Sequence, residues 1–201
     1  IVRGTQTSDE TVERAVKFIQ SIGKLPVVVK DRPGFVVNRI LVPYLIDACN
    51  MLDDGFEISE IDNAMVKWGM PMGPFRLMDE IGLDICQHVA VDLYARLPHL
   101  GGDVPNTLNE LIADGFLGKK SGEGFYKYKK GKAVRTSVDD TVDLKTIQNK
   151  LVQSMISESQ RMLAERVVES KDDIDFAMIM GTGFAPFRGG PLTCFSSDVN
   201  V

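Results

Sequence analysis

The segment of residues 30–45, KDRPGFVVNRILVPYL, places the strongest constraint on how this chain can fold. An extended apolar run at 26–30 leads into it, and a mostly apolar helix is predicted to follow the residues DRPG. Pro33 disfavours a helical conformation in the residue before it, and Gly34 permits an abrupt change of direction. Asn38 lies in the opening turns of the predicted helix. Two interpretations of Asn38 are open. Its amide faces a cleft between a sheet and a helical body, or it is a capping or solvent-exposed residue without a functional role.

Composition indicates a globular chain and excludes several classes of function. The 201 residues are 44% hydrophobic, which is enough for one large or two small domains. A formal charge of -5 argues against a general surface for nucleic acid or anionic membranes. The longest apolar runs are far short of the roughly 20 residues that span a bilayer. Cys49, Cys86 and Cys194 are distant from one another and lack ligand spacing, so we expect reduced, buried thiols and no metal site.

Residues 1–30 carry the pattern of a strand, a helix and a strand. Apolar residues recur at helical spacing over 9–22, behind a helix N-cap offered by residues 7–9, and 26–30 is predicted to be a buried strand of a parallel sheet. Beyond Gly34 the pattern is helical only. The sequence therefore predicts a mainly α fold that begins with the end of a doubly wound α/β unit.

The chain also contains an internal repeat of its helical part. The matched segments, in order, are 149–151 with 38–40, 173–178 with 60–65, and 185–192 with 73–80. Chance similarity between amphipathic helices would not reproduce these elements in one order, so we interpret them as a tandem duplication. This pairing makes Arg76 and Arg188 equivalent, and we expect both to form structural ion pairs. The polar residues 129–143 are predicted to be a linker.

Three separated blocks, DRPGFVVNRILVPYL, MPMGPFRLMDEIGLD and GKKSGEGFYKY, resemble the 3-hydroxyacyl-CoA dehydrogenase family. With its repeat, the chain is similar to the C-terminal part of the fatty-acid oxidation multifunctional enzymes. The resemblance implies tandem helical domains like the C-terminal domain of 6-phosphogluconate dehydrogenase, preceded by a remnant of an NAD-binding Rossmann domain. The implied limits are 1–30 for the remnant, 31–128 for the first helical domain, 129–143 for the linker and 144–201 for a second, truncated repeat. The second repeat is implied to replace a partner subunit in an intramolecular pseudo-dimer.

The resemblance also implies the chemistry. Members of the family transfer a hydride from the 3-hydroxyl carbon of an L-3-hydroxyacyl-CoA to NAD, with a His as general base that a Glu orients. Both residues, and the glycines of the NAD turn, are expected upstream of Ile1, so the chain has no catalytic residue and is expected to be inactive alone. His88 and His99 are expected to be structural or on the surface. Asp79 and Glu80 are adjacent on a helix and point in different directions, so they do not form an acid-base pair.

Three residues carry the family's binding roles by resemblance. Asn38 matches an Asn that hydrogen-bonds near the reacting oxygen or the catalytic His. Met180 stands where the second repeat often has an aromatic residue that lines the acyl site. Both are candidate substrate-binding residues. Lys120 matches a Lys that reaches the cofactor in single-repeat members, although the lysines and glycines of 118–128 are also typical of a solvated turn.

Partners and location follow from the same resemblance. We expect acyl-CoA and the missing Rossmann domain as partners, and homo-oligomerisation is left open. The first residue is not Met, so no targeting signal can be identified; a bacterial cytoplasm is expected, with a mitochondrion or peroxisome as alternatives. The strand at 27–29 is predicted to be disordered, docked on the helical body or paired with another copy, because its sheet neighbours are missing.

Two other functions compete with the dehydrogenase. A helical assembly module would pack against another domain and would not recognise CoA thioesters. An oxidoreductase of similar build that acts on a small hydroxy acid is disfavoured by the blocks around Asn38 and Gly122.

Overall fold

The described residues form a mainly helical structure. A computed structural model describes the backbone of residues 1–134 and 144–198 and the side chains as far as residue 195. The helices are α1 Asp9–Ser21, α2 Val37–Asp53, α3 Ile58–Trp68, α4 Pro74–Ile81, α5 Leu83–Arg96, α6 Asn106–Ala113, α7 Leu144–Ala164, α8 Lys171–Thr182 and α9 Pro191–Asp198. The strands are β1 Val2–Arg3, β2 Val29–Lys30, β3 Tyr128–Lys129 and β4 Lys132–Ala133. The predicted fold class is confirmed.

The chain divides into two compact units. The first unit combines Ile1–Arg39 with Ile156–Val201, and the second unit is Ile40–Met155. The boundaries fall inside α2 and inside α7. Each unit has its own apolar core. Core residues of the first unit include Val29, Ile156, Met162, Val167, Ile174, Met178, Phe184 and Leu192; those of the second unit include Ile40, Leu45, Ile61, Met65, Phe75, Met78, Leu83 and Leu108.

The strand remnant of the first unit is ordered and docked. β1 and β2 pair in parallel, with Val2 opposite Val29 and Arg3 opposite Lys30. Both strands are shorter than the predicted ones. The backbone N–H of Lys30 donates to the carbonyl oxygen of Val167 at 2.9 Å, and Val29 is buried. Of the three outcomes predicted for this strand, the structure therefore shows docking on the helical part.

Helix α1 forms as predicted but buries none of its residues. Its start is capped by Ser8, whose hydroxyl accepts a hydrogen bond from the backbone N–H of Thr11 at 3.2 Å. Phe18, near its C-terminal end, and Ile22 and Leu25, which follow the helix, are each more than half exposed. The end of α1 and the residues after it consequently present an apolar face to solvent.

Helix α4 in the second unit is held by a buried carboxylate from α3. Asp62 accepts hydrogen bonds from the backbone N–H groups of Phe75, at 2.9 Å, and Arg76, at 3.1 Å. The hydroxyl of Tyr126 donates to the same carboxylate at 2.8 Å. A side chain on Gly73 would overlap Asp62, so glycine is required for this close approach. The carboxylate satisfies donors that a helix start leaves without partners.

The block GKKSGEGFYKY is anchored in the same way. The carboxylate of Asp79 accepts hydrogen bonds from the backbone N–H groups of Phe125 and Tyr126 and from the hydroxyl of Tyr128, each at 2.9 Å. A side chain on Gly124 would overlap this carboxylate. Asp79 is therefore structural, as the sequence predicted when it excluded an acid-base pair with Glu80.

The second repeat uses the same device on α9. Asp175 accepts hydrogen bonds from the backbone N–H of Leu192, at 2.7 Å, and from the backbone N–H and hydroxyl of Thr193, at 3.0 and 2.7 Å. A side chain on Gly190 would overlap Asp175. The counterpart of the GPFR residues in the first repeat is thus GPLT, which starts at Gly190.

The predicted pairing of 185–192 with 73–80 is therefore wrong. Pro186–Arg188 forms a short 3-10 turn rather than a helix start, and the true match begins five residues further on. Arg76 and Arg188 are not equivalent. Arg76 does form the expected ion pair, with Glu80 at 2.7 Å.

The predicted linker, 129–143, starts within the antiparallel pair of β3 and β4. Residues 135–143 lie outside the described residues. None of the helices within 1–134 and 144–198 has the length and apolar character needed to cross a bilayer. The three cysteines are buried thiols, as predicted, and burial raises the pKa of the Cys86 thiol to about 12.

Removing either anchoring carboxylate is expected to destabilise the chain strongly. Asp62→Ala and Asp175→Ala each leave buried donors without a partner, so the free energy of unfolding in urea is expected to fall by about 3 kcal/mol. The exposed Asp172→Ala, in the first turn of α8, is the control and is expected to cost at most about 0.5 kcal/mol. A loss below about 1 kcal/mol for Asp175→Ala alone would contradict the equivalence of the two carboxylates.

The carboxyl of Asp62 also makes stability depend on pH. Burial raises its pKa to about 6, against the opposing effect of its hydrogen bonds. In the unfolded chain this carboxyl ionises at about pH 3.9. Between about pH 4 and pH 6 the folded state therefore keeps a proton on Asp62 that the unfolded state has released. The stability that this group contributes is therefore present below about pH 4 and is lost as the pH rises through about 6.

Comparison with Asp62→Asn isolates this effect. The free energy of unfolding of the unmodified chain, relative to that of the variant, is expected to fall by about 1–3 kcal/mol between pH 4 and pH 7. Urea denaturation at intervals of half a pH unit measures it. A relative stability that stays constant, or rises over this range, would show that the carboxyl is already ionised in the folded chain at pH 4.

Candidate functional site

A turn with two consecutive left-handed residues starts α2. Gly34 has φ 72° and Phe35 has φ 50°. The N–H of Phe35 donates to the carbonyl oxygen of Arg32 at 3.0 Å, and the N–H of Arg39 donates to that of Gly34 at 3.2 Å. Glycine adopts this conformation freely, whereas Phe does so at a cost. The turn places Asn38 in the first turn of the helix.

Asn38 and Met180 line the same cleft in the first unit. The cleft has a volume of about 380 Å³. Its lining residues are Ile1, Val2, Leu25, Val27, Val29, Gly34, Phe35, Val36, Val37, Asn38, Phe176, Ala177 and Met180. Among these described residues Asn38 has the only polar side chain. The structure therefore brings together the two residues that the sequence predicted to bind substrate, in an otherwise apolar setting.

Helix α8 forms one wall of the cleft. Phe176, Ala177 and Met180 share a face of this helix because of their spacing. Met180 is 64% exposed, so it stands at the mouth of the cleft rather than in the core. The next residue, Gly181, meets α2 closely, since a Cβ there would lie 2.9 Å from Cγ2 of Val37. Glycine at this position sets how near α8 comes to the residue before Asn38.

Arg39, the residue after Asn38, is fully buried in a cluster of charges. Its Nε donates to Oε1 of Glu158 at 2.6 Å, and its Nη1 donates to Oε2 of Glu165 at 2.8 Å. Nη2 is buried and has no hydrogen-bond partner among the described residues. Burial alone lowers the pKa of the guanidinium, but the hydrogen bonds to Glu165 and Glu158 outweigh it and raise the pKa overall. Arg39 is thus a buried, permanently charged group beside the candidate site.

Sequence reasoning did not assign a role to Arg39. The available signal was a charged side chain within the otherwise apolar string FVVNRILVPYL, which is unusual for a buried helix face. Its partners are 119 and 126 residues away in the chain. No local pattern links positions so far apart.

Lys120 belongs to the second unit and is paired with a carboxylate. Its ammonium forms an ion pair with Asp84, and its side chain is 43% exposed. The hydrogen bond from Lys120 lowers the pKa of Asp84. The neighbouring Lys119 pairs in the same way with Glu80, at 2.7 Å. Both lysines of the glycine-rich block therefore have acidic partners within the unit.

The histidines and the acidic residues suggest no further reactive centre in the described parts of the chain. His88 and His99 are exposed. Within 1–134 and 144–198, no group of three His, Cys, Asp or Glu side chains is arranged to hold a metal ion.

Comparison with known families identifies the type of protein. Residues 34–128 match the model of the 3-hydroxyacyl-CoA dehydrogenase C-terminal domain, and residues 1–32 match that of the 3-hydroxyacyl-CoA dehydrogenase NAD binding domain. The chain thus joins the end of a nucleotide-binding domain to a helical dehydrogenase domain. It belongs to the 3-hydroxyacyl-CoA dehydrogenase family.

Relatives in sequence are much longer proteins. The fatty acid oxidation complex subunit alpha of Acinetobacter baylyi is 39% identical over 210 residues, which include 95% of this chain. That of Idiomarina loihiensis is 39% identical over 212 residues and 98% of the chain. In both cases the chain spans 29% of the length of the relative.

Solved structures agree with this assignment. The (S)-3-hydroxybutyryl-CoA dehydrogenase of Ralstonia eutropha is 40% identical, with a TM-score of 0.61 over 64% of this chain and 46% of that one. The dehydrogenase part of multifunctional enzyme 1 from C. elegans is 26% identical, with a TM-score of 0.63 over 90% of this chain and 44% of that one. The 3-hydroxybutyryl-CoA dehydrogenase of Escherichia coli shares the fold, with a TM-score of 0.81 at 24% identity, over 98% of this chain and 59% of that one.

The left-handed conformation of Phe35 gives a test of the turn that carries Asn38. Phe35→Asn and Phe35→Ala both remove the aromatic ring, but Asn tolerates a positive φ better than Ala does. We expect the Asn variant to be more stable to urea by about 0.5–1 kcal/mol. An Ala variant of equal or greater stability would mean that the chain does not adopt this turn in solution.

Proposed function

We propose that this chain is the acyl-CoA-binding part of an NAD-dependent L-3-hydroxyacyl-CoA dehydrogenase of fatty acid β-oxidation. In this proposal its second repeat provides an intramolecular pseudo-dimer contact. The observation that carries the proposal is the cleft in which Asn38 has the only polar side chain among the lining residues that the structure describes. An aliphatic chain with one polar reacting centre has the matching distribution of groups.

The lining residues have distinct roles in the reaction. Phe176 and Met180 cover the acyl chain, and each buried methylene contributes about 0.8 kcal/mol. The flexible thioether of Met180 can adapt to chains of different shape. The Asn38 amide donates a hydrogen bond to the oxygen on carbon 3 as it changes from hydroxyl to ketone. A fixed donor at this position stabilises the negative charge that develops on the oxygen.

The residues that the structure describes do not form a site for NAD, which in this family accepts the hydride. Among them no strand leads into a turn of the form GxGxxG, and Lys120 is engaged by Asp84. Lys120 could reach a cofactor only after that ion pair breaks. We therefore assign the NAD turn, the catalytic His and its Glu to the part of the whole protein that precedes Ile1, and keep Lys120 as a secondary candidate for cofactor contact.

The exposed face of α1 supports a further contact with the rest of the nucleotide-binding domain. Phe18, Ile22 and Leu25 expose apolar surface that a domain core would cover. Parallel sheets are buried on both faces, so β1 and β2 are expected to belong to a larger sheet. We keep 1–30, 31–128 and 144–201 as the limits of the sequence domains. A bacterial cytoplasm is the proposed compartment, because the sequence relatives named above are bacterial.

The same exposed face also favours a second candidate function, a helical module that serves assembly alone. Such a module would bind another domain through α1 without recognising thioesters. The two candidates therefore differ in whether the chain binds an acyl-CoA.

Calorimetric titration with acetoacetyl-CoA tests the proposal. We expect weak binding by the unmodified chain and a loss of about three- to tenfold in affinity for Asn38→Ala, the effect of one neutral hydrogen bond. The chain offers a matched control in Asn149→Ala, which makes the same change at the corresponding position of the second repeat. NADH is expected to give no heat.

Equal binding by Asn38→Ala and Asn149→Ala would remove Asn38 from the site. Absence of thioester binding at millimolar concentration would favour the assembly module.

A further inference from the structure

We infer that Arg39 is the positioning residue for Asn38, and that segment 156–195 holds it in place through the buried carboxylate of Glu158 and the partly exposed carboxylate of Glu165. The inference deepens the proposed function and rests on it only for the choice of Asn38 as the group that meets the ligand. It gives the second repeat a direct part in building the substrate site, in addition to a pseudo-dimer contact.

The residues on both sides of Asn38 are fixed to the same part of the chain. Val37 packs so closely on Gly181 of α8 that a Cβ added to Gly181 would lie 2.9 Å from Cγ2 of Val37. Arg39 forms ion pairs with Glu158 and Glu165. Successive side chains on a helix point about 100° apart. The neighbours of Asn38 can therefore be anchored while Asn38 itself lines the cleft.

The geometry of the cluster resists rotation of α2. Glu158 lies in the last two turns of α7, and Glu165 is the first residue beyond its end. Arg39 donates to one through Nε and to the other through Nη1. A planar guanidinium held at two points near the end of a neighbouring helix fixes both its own location and the rotation of the helix that carries it.

Stability alone does not account for this cluster. Buried ion pairs are often no more stabilising than apolar residues of similar size, because the charges must leave water. Nη2 of Arg39 is buried without a hydrogen-bond partner among the described residues, which adds to the cost. Arg161 lies 3.7 Å from the second oxygen of Glu158 and balances the remaining charge. A buried charge with incomplete hydrogen bonding suits a role in fixing geometry.

The test uses two changes at Arg39. Arg39→Lys keeps the charge but loses the two-point fork. Arg39→Met combined with Glu158→Leu removes the two buried charges together and so avoids leaving one of them unpaired. Gly181→Ala is an independent third variant, because it displaces Val37 without touching the charges. It keeps the test informative if the cluster variants do not fold.

The first readout does not require a ligand. We expect the backbone amides of 39–42 to exchange hydrogen about tenfold faster in all three variants, and the side-chain amide signal of Asn38 to shift in NMR spectra. The side-chain amide of Gln148, which donates to the carbonyl oxygen of Ala64 at 2.8 Å within the second unit, is the internal reference and is expected to stay unchanged. The second readout is affinity for acetoacetyl-CoA, expected to fall about tenfold in each variant through misplacement of the amide.

The outcomes separate the two proposals. Unchanged exchange at 39–42 and an unchanged Asn38 signal in Arg39→Lys and Gly181→Ala would overturn the positioning role. Faster exchange spread equally over α1 and α8 would also overturn it, since that result indicates a purely structural residue. If the unmodified chain binds no thioester but Asn38 responds as expected, the positioning role holds and the proposed function fails.

Discussion

The fold depends on a buried carboxylate that accepts hydrogen bonds from consecutive backbone N–H groups at the start of a following helix. Asp62 does this for α4 and Asp175 does it for α9. In each case a glycine just before the helix has no side chain to obstruct the approach. The interaction joins two consecutive helices strongly, because a charged acceptor binds N–H donors about twice as strongly as a neutral one.

The two repeats then differ in what completes the carboxylate. In the first repeat, the phenol of Tyr126 supplies the third hydrogen bond to Asp62, and it comes from a block that Asp79 anchors. In the second, the hydroxyl of Thr193, one of the residues at the start of the capped helix, donates to Asp175. The second repeat therefore needs no such block in order to satisfy its carboxylate. The two segments therefore share the anchoring carboxylate and differ in its third donor.

The features that were predicted correctly from the sequence are those that depend on interactions between residues close together in the chain. The cap within residues 7–9, the course of α2 and the reversal at Gly34 all depend on neighbouring residues, and each was predicted correctly from them. The shared cleft of Asn38 and Met180 followed from the family resemblance. Strand lengths were overestimated, because a strand extends only as far as its partner does.

Longer-range features escaped the sequence for a physical reason. The PFR string of the second repeat looks like a helix start, but whether it is one depends on where Asp175 finds its donors. Arg39 cannot be recognised as a buried, ion-paired residue from its neighbours in sequence, because its two carboxylate partners are more than a hundred positions away. Periodicity and motif spacing report only on neighbouring residues, so they cannot show which residues have partners far away in the sequence.

The first unit is built from both ends of the chain, and this has a consequence for biosynthesis. Residues 40–155 form a unit that is continuous in sequence, so it can fold as soon as it leaves the ribosome. The unit that contains Asn38 has to wait for residues 156–195, because the loop between its halves must close first. The candidate site thus matures after the second unit. A nascent protein interrupted before that point would carry a folded second unit and no working cleft for its ligand.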